Sequence, residues 1–526
     1  MTNAPAILRS LLVYAICIPA AIVLGYGLPS VANMPTDLSQ YVPLALVLLT
    51  ISFPILLNYH HAFLFLAWNA VAVVFFLPGR PSIWLLAVAI SLFIALTQRM
   101  LRGRSASLHV PQLTVPLIAL AGVVVITAFC TGGIGLHSLV PWLGGGVYGG
   151  RRYVILLAAV LGYFAFASQS LPREKAALYT AMFFLTGLTA MIGDFFALVK
   201  GDWRYLFLVF PPHSLNTEQI EVGTTRLSGV STASAAVYSY LLARYGIRGI
   251  FTLMRPWRLL LFIGFSLAGF LGGYRSTIIL FVLVFAFQFY FEGLHRTAML
   301  PRLALAFVVI AVVVFPFINR MPMTFQRALA FLPVDIDPKA RLDAQQSSEW
   351  RTRMWRAVLP QVPQYLLLGK GLAFSAQDYD FFTSDAMVTG LIKPISADEE
   401  GLALSGDFHN GPLTVVIPFG LWGVGVALWF FWAGVRCLYR NYRYGDAALK
   451  NINTFILAAF VAHIVLFCIV FGSFQNDLWF FTGLLGLSVS LNGGMAQPAP
   501  VAPPAVEQAP RSFAAVFPRP RHALGR

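Results

Sequence analysis

The sequence predicts an all-α fold, a polytopic helical membrane protein of about 12–14 transmembrane helices with one large loop outside the membrane. Three observations predict it. Of 526 residues, 58% are hydrophobic and only 11% charged, and the mean hydropathy is +0.75. Apolar stretches able to cross a ~30 Å hydrocarbon core recur along the chain. Lys and Arg number 36 against 21 Asp and Glu, and they gather between alternate stretches, as cytoplasmic loops require.

In order, the spans fall at 11–28, 42–58, 62–78, 82–98, 113–130, 153–169, 177–199, 228–244, 258–273, 276–292, 302–318, 411–435, 453–471 and 477–491. Two of them are short enough to be re-entrant or interfacial. Arg9 precedes the first, but no small-residue cleavage site follows, so this run reads as a span rather than a removed signal peptide. With the N-terminus inside, Arg99 and Arg102, Arg173 and Lys175, Arg244 and Arg248, Arg296 and Arg302, and Arg436 and Arg440 all fall inside. The same parity puts 319–409 outside. The chain then divides into an N-terminal transmembrane bundle (1–318), an outer loop or cap (319–409), C-terminal transmembrane helices (410–491) and a Pro- and Ala-rich cytoplasmic tail (492–526) expected to be disordered. Trp350, Trp355, Phe381 and Phe382, with the run Tyr365-Leu366-Leu367-Leu368, predict a folded or membrane-lying cap. An amphipathic helix is expected around 347–360.

Several function classes drop out. In a chain this apolar, a net charge of +15 reads as topogenic charge and contact with anionic membrane lipids, not nucleic acid. Cys17, Cys130, Cys437 and Cys468 have no CxxC spacing and imply neither a disulfide framework nor a metal site. Gly144-Gly145-Gly146 lacks the Lys-Ser/Thr of a phosphate loop. Asp398-Glu399-Glu400 reads as a solvated loop. His60-His61, placed at an inner loop, and His463, inside a span, read as satisfied structural histidines. Arg151, Arg152 and Arg204 read as lipid-headgroup contacts. No cofactor or metal is expected, and no cytoplasmic loop is long enough for a nucleotide-binding domain.

Three groups converge on the outer boundary. Arg226 opens the span 228–244, Arg275 opens 276–292, and His409, in Asp407-Phe408-His409-Asn410-Gly411-Pro412, opens 411–435. The positive-inside rule disfavours arginine there, so each needs a reason; headgroup snorkelling is the plain one. All three spans present helix N-termini outward, where free N–H groups and the helix dipole favour anions. Asn410 suits an N-cap and Pro412 a first turn. The pair His409-Asn410 also has a plain reading, as cap and loop packing. Asp407 is placed to orient the histidine. Gly272 and Gly273 permit close backbone approach. Arginine forks match phosphate oxygens, and a histidine beside them can take a proton. The chemistry that fits is displacement at a sugar anomeric carbon with a lipid pyrophosphate leaving.

These residues resemble the O-antigen ligase and polymerase superfamily of bacterial envelope glycan assembly. His409-Asn410, nine residues, Gly420, two residues and Gly423 fit its histidine motif in full. Gly273-Tyr274-Arg275-Ser276-Thr277 is similar to its outer arginine segment, with Ile279 where the family has Leu. Arg226-Leu227-Ser228-Gly229 is similar to its Arg-x-x-Gly segment, without the Asn that often follows. Glu349-Trp350-Arg351 through Trp355, then Leu368-Gly369-Lys370-Gly371, resembles its outer-loop stretch. The resemblance implies a metal-independent inverting glycosyltransferase in the bacterial inner membrane, its site facing the periplasm. The donor would be an undecaprenyl-pyrophosphate-linked glycan and the acceptor a lipid or glycan hydroxyl, as in lipopolysaccharide ligation or exopolysaccharide polymerisation; a chain-length regulator is a further candidate partner. His409 and Arg275 would be catalytic, and Arg226, Arg351 and Asn410 substrate-binding. The rival is a transporter or flippase for polysaccharide or lipid-linked glycan. Such carriers place acids near mid-membrane; here Asp194 and Glu292 are the acids within spans, both towards the ends.

Overall fold

The computed structural model describes residues 42–75, 77, 80–102, 108, 110–131, 147–148, 150–199, 201–212, 226–375 and 406–498. The expected first span at 11–28, the Gly144–Gly146 run, Phe381 and Phe382, the acidic segment at 398–400 and the tail beyond 498 lie outside these residues.

The protein is an all-α membrane protein. Twelve long helices among the described residues make the bundle: α1 (Val42–Trp68), α2 (Ile83–Arg102), α3 (Pro111–Cys130), α4 (Gly150–Phe166), α5 (Arg173–Leu198), α6 (Ser228–Ile250), α7 (Pro256–Gly272), α8 (Arg275–Phe291), α9 (Met299–Arg320), and, after the cap helices α10 (Met323–Ala328) and α11 (Pro338–Val358), α12 (Gly411–Tyr444), α13 (Ala447–Val470) and α14 (Phe474–Asn492). Six of them, α2, α3, α5, α9, α12 and α13, are long and apolar enough to cross a membrane. A two-residue antiparallel ladder joins β1 (Val147–Tyr148) to β2 (Phe374–Ser375).

One expectation is corrected. The spans predicted at 42–58 and 62–78 are a single helix, α1. His60 and His61 lie within it and not in a loop. His60 Nδ1 pairs with Ser91 Oγ at 3.0 Å and its Nε2 with Gln169 at 3.1 Å; His61 Nε2 meets the Phe166 carbonyl at 3.0 Å. A polar side chain whose partners sit on neighbouring helices does not end a helix. Gln98 of α2 donates to the Leu57 carbonyl at 2.8 Å, so α1 and α2 form an antiparallel pair. The start of α1 is therefore at the end that carries Arg102, opposite to expectation, while the helices from α2 onward keep their predicted directions.

The core lies around α13 and α14. Every residue from Ile452 to Phe460 and from Phe481 to Leu491 is buried, as expected of helices surrounded by others. Bundle packing uses small residues: a Cβ on Gly162 or Gly483 would fall 2.4 or 2.1 Å from the Trp68 side chain. α9 is the reverse case. Only Ile318 in it is buried, and Phe307, Val308 and Val312 are exposed, the pattern of a peripheral, lipid-facing helix.

Two acids, Asp194 and Glu292, are helix caps, and a third, Asp477 in the first turn of α14, accepts from Ser473 N at 2.8 Å and lies 3.4 Å from His463 Nε2. Asp194 accepts from Gly229 N at the start of α6 at 2.5 Å. Glu292 accepts from Ile247 N at 2.8 Å and Arg248 N at 3.3 Å, where Gly246, with φ +64°, interrupts the same helix.

Candidate functional site

Arg226 precedes α6 by two residues, Arg275 is the first residue of α8, and His409 precedes α12 by two. The cap helix α11 ties the three together. Pro338 at its first turn and the Asp337 side chain, accepting from Lys339 N at 2.8 Å, start it. It begins earlier than the expected 347–360 because its first half is polar and lacks an apolar stripe. Ala340, Ala344, Trp350, Met354 and Val358 make its buried face.

That face meets the arginines. Arg226 Nη2 lies 3.2 Å from both oxygens of Asp343. Arg275 Nη2 donates to Ser348 Oγ at 2.9 Å and to the Ala344 carbonyl at 3.3 Å. Arg327 of α10, which no motif marked, pairs through Nε with Asp343 and donates through Nη1 to the Gly273 carbonyl at 2.8 Å. The close approach expected of Gly272 and Gly273 is thus made by protein: Arg327 against Gly273, and Ser231 of α6 against Gly272, where a Cβ would come within 2.6 Å. Arg351 lies 5.7 Å from the Phe471 ring, and its Nε is buried with no hydrogen-bond partner among the described residues. Burial lowers its proton affinity, and the charges of Arg275 and Arg226 lower it further. Burial, then Arg226, pushes Arg327 down to about 10. Guanidinium groups stay cationic at neutral pH; Arg226 and Arg327 contact Asp343, and its charge also acts on Arg275.

His409 adjoins this cluster. Its ring stands between Trp350, at 5.4 Å and 70°, and Phe471, at 4.8 Å and 34°, the ring that Arg351 also overlies. Its backbone is left-handed, φ +50°, unusual for a residue with a Cβ. Asp407 holds that conformation: Oδ1 accepts from His409 N at 3.3 Å and faces Nδ1 at 3.2 Å, while Asn476 reaches Oδ2 at 3.5 Å. Trp355 Nε1 donates to the Phe408 carbonyl at 2.7 Å. Asn410 caps α12, its Oδ1 accepting from Leu413 N at 3.2 Å. Asn410 is thus the N-cap the sequence suggested, and its side-chain oxygen is committed to the helix end, where the Leu413 N–H has no carbonyl partner within the helix.

The motif glycines have a separate task. α12 breaks at Gly420, φ +61°, just after Pro418. The cap segment 366–371 fills the break: Leu421 N donates to the Leu366 carbonyl at 2.7 Å, Lys370 N to Ile417 O at 2.7 Å, and Gly371 N to Pro418 O at 2.9 Å. A Cβ on Gly420 would come 2.7 Å from Leu367 O, and one on Gly369 2.2 Å from Pro418 O. Arg152 is not a headgroup contact, as the sequence suggested; it is half-buried and donates to Leu372 O at 3.1 Å, securing the same segment beside Tyr153, whose hydroxyl accepts from Leu372 N at 2.6 Å.

No protein-family model matches the chain, and no curated protein matches it. Arg327, Asp343 and Phe471 escaped sequence reasoning. For Arg327 no signal separated it from the other basic residues of 319–409, Arg320, Arg341 and Arg353 among them. For Asp343 and Phe471 there was none.

Proposed function

We propose that the protein is a membrane glycosyltransferase that moves a glycan from an undecaprenyl-pyrophosphate carrier to an acceptor hydroxyl, of the O-antigen ligase or polysaccharide polymerase type, in the bacterial inner membrane with its site facing the periplasm. One observation carries the reading: Arg226, Arg275, Arg327 and Arg351 gather at one end of the bundle, two of them on Asp343, with His409 beside them. A partly desolvated cluster with excess positive charge favours a multivalent anion.

In this reading the acceptor hydroxyl gives its proton to His409, whose Nδ1 faces Asp407, so Nε2 receives it. The acceptor oxygen forms the bond to the anomeric carbon as the bond from that carbon to the diphosphate oxygen breaks, inverting the centre. The diphosphate departs with the electron pair, and the arginines stabilise the charge that develops on it. Asp407 holds the imidazole in place and offsets the charge it gains. Membrane lipids surround the donor's polyprenyl chain. Asp194 and Glu292 are occupied as helix caps, and Asp477 accepts from Ser473 N and pairs with His463.

The test compares His409→Ala and Arg275→Ala with wild type in the source cells, reading surface polysaccharide by size on a gel beside protein abundance. Loss of polymer or of modified acceptor at normal abundance supports the reading. Single-repeat products identify a polymerase, and accumulated lipid-linked polymer a ligase. Wild-type glycan from both variants rejects it.

A further inference from the structure

We infer that Asp343 is a resident anion occupying the place of a diphosphate, and that Arg327 is a further arm of the diphosphate site. This rests on the function proposed above and adds to it a ligand-displaced carboxylate and a binding residue.

The side chains concerned are little exposed: 16% for Arg226, 7% for Arg327 and 16% for Asp343. Asp343 bridges the two guanidinium groups from the buried face of α11, but it leaves the cluster incompletely satisfied. Arg226 reaches both carboxylate oxygens through one nitrogen, Nη2, and its Nε is buried without a partner among the described residues, as is that of Arg351. Arg275, one helical turn along α11, has neutral acceptors among the described residues, Ser348 Oγ and Ala344 O. Buried N–H groups without acceptors are uncommon in folded proteins, and each calls for an explanation. A diphosphate offers more oxygens, over a longer span, than a carboxylate. It can meet Arg226 and Arg327 where Asp343 now sits and extend towards Arg275.

The support for Arg327 makes it part of this site. Its Nη1 is held by the carbonyl of Gly273, in the turn that ends two residues before Arg275. One turn of backbone therefore positions both guanidinium groups. Carboxylate and diphosphate carry the same sign, so they cannot share the pair, and an entering diphosphate competes with Asp343. Displacing Asp343 loosens the first half of α11 from the bundle, while Trp350 and Trp355 in its second half remain on the His409 segment.

The experiment is isothermal titration of inorganic pyrophosphate into the purified full-length protein at fixed ionic strength. Asp343→Asn is expected to bind at least ten-fold more tightly than wild type, and adding Arg327→Gln to Asp343→Asn to remove at least ten-fold. Equal or weaker binding by Asp343→Asn overturns the displaced-carboxylate inference; if Arg275→Ala still abolishes wild-type binding, the proposed function survives that failure. No pyrophosphate binding by either folded protein overturns both. Because Asp343→Asn can lose its fold, hydrogen exchange of residues 340–348 in wild type supplies a second readout. Faster exchange with pyrophosphate is expected, and unchanged exchange in protein that binds it overturns the inference.

Discussion

The two ends of the bundle solve the same local problem and leave opposite residues of charge. Each has a helix interrupted by a left-handed glycine, Gly246 near one end and Gly420 towards the other. At Gly246 the freed N–H groups go to Glu292, whose carboxylate also takes Gln288 Nε2 at 2.8 Å. Nearby, Asn441 donates to Ser488 at 2.9 Å, and Asn453 and Asn492 pair through both amides at 2.9 and 2.8 Å. Many polar groups there pair with one another, while Gln288 Oε1, Arg258 Nε and His295 Nδ1 are buried without a partner among the described residues. At the Gly420 end the helix break is closed by backbone, so no carboxylate is spent on it, and among the described residues Asp343 is the acid in contact with the arginines beside His409. Buried groups without partners occur at both ends, so what sets the second end apart is the gathering of four little-exposed guanidinium groups beside a histidine.

The comparison predicts its own mutational order. The largest effects belong to His409→Ala and Arg275→Ala. Loss of a general base lowers turnover by about 10²–10⁴-fold, measured as glycan transfer from purified lipid-linked donor, and Arg275→Lys should recover little because the fork is lost with the planar group. A variant with more than half of wild-type turnover would remove the distinction between the ends. Next comes Gly420→Ala. Left-handed backbone with a Cβ costs about 1–2 kcal/mol, and here the methyl also meets Leu367 O. A lowered melting temperature with reduced transfer is expected, whereas Gly425→Ala, with open space around its site, should be neutral or stabilise by up to about 1 kcal/mol.

Glu292→Gln sharpens the contrast from the other side. It weakens charge-assisted bonds worth about 1.5–3 kcal/mol, so thermal stability should fall while transfer per folded molecule stays at the wild-type value. An equal drop in both would show the inner end to be coupled to the chemistry. The smallest effect is Trp355→Phe, which removes one hydrogen bond to Phe408 O, about 1 kcal/mol, and should lower transfer several-fold through the setting of His409.

Much of this was legible in the sequence, for physical reasons. Long apolar runs gave most of the helices from α2 on. They failed at His60-His61, because two adjacent polar residues look like a loop until Ser91, Gln169 and the Phe166 carbonyl are seen to satisfy them. Arg226, Arg275 and His409 stood out as groups at helix starts on one side. That Asp343 joins two of the arginines was not legible, since it depends on which face α11 turns to the bundle. Gly420 and Gly423 were visible as a spacing; that Gly420 opens a notch for the cap backbone belongs to tertiary structure alone.

The interlock at that notch sets an order of assembly. Leu366 to Gly371 leave the ribosome well before Ile417 to Leu421, and the later segment needs carbonyl and N–H partners from the earlier one. α12 can enter the bilayer as an apolar segment, but its first two turns, with His409 just ahead of them, reach their final course only when the cap segment 366–371 is in place. A nascent chain arrested anywhere before Leu421 therefore lacks the partner for the Leu366 carbonyl, and the site is among the last parts of the molecule to be completed.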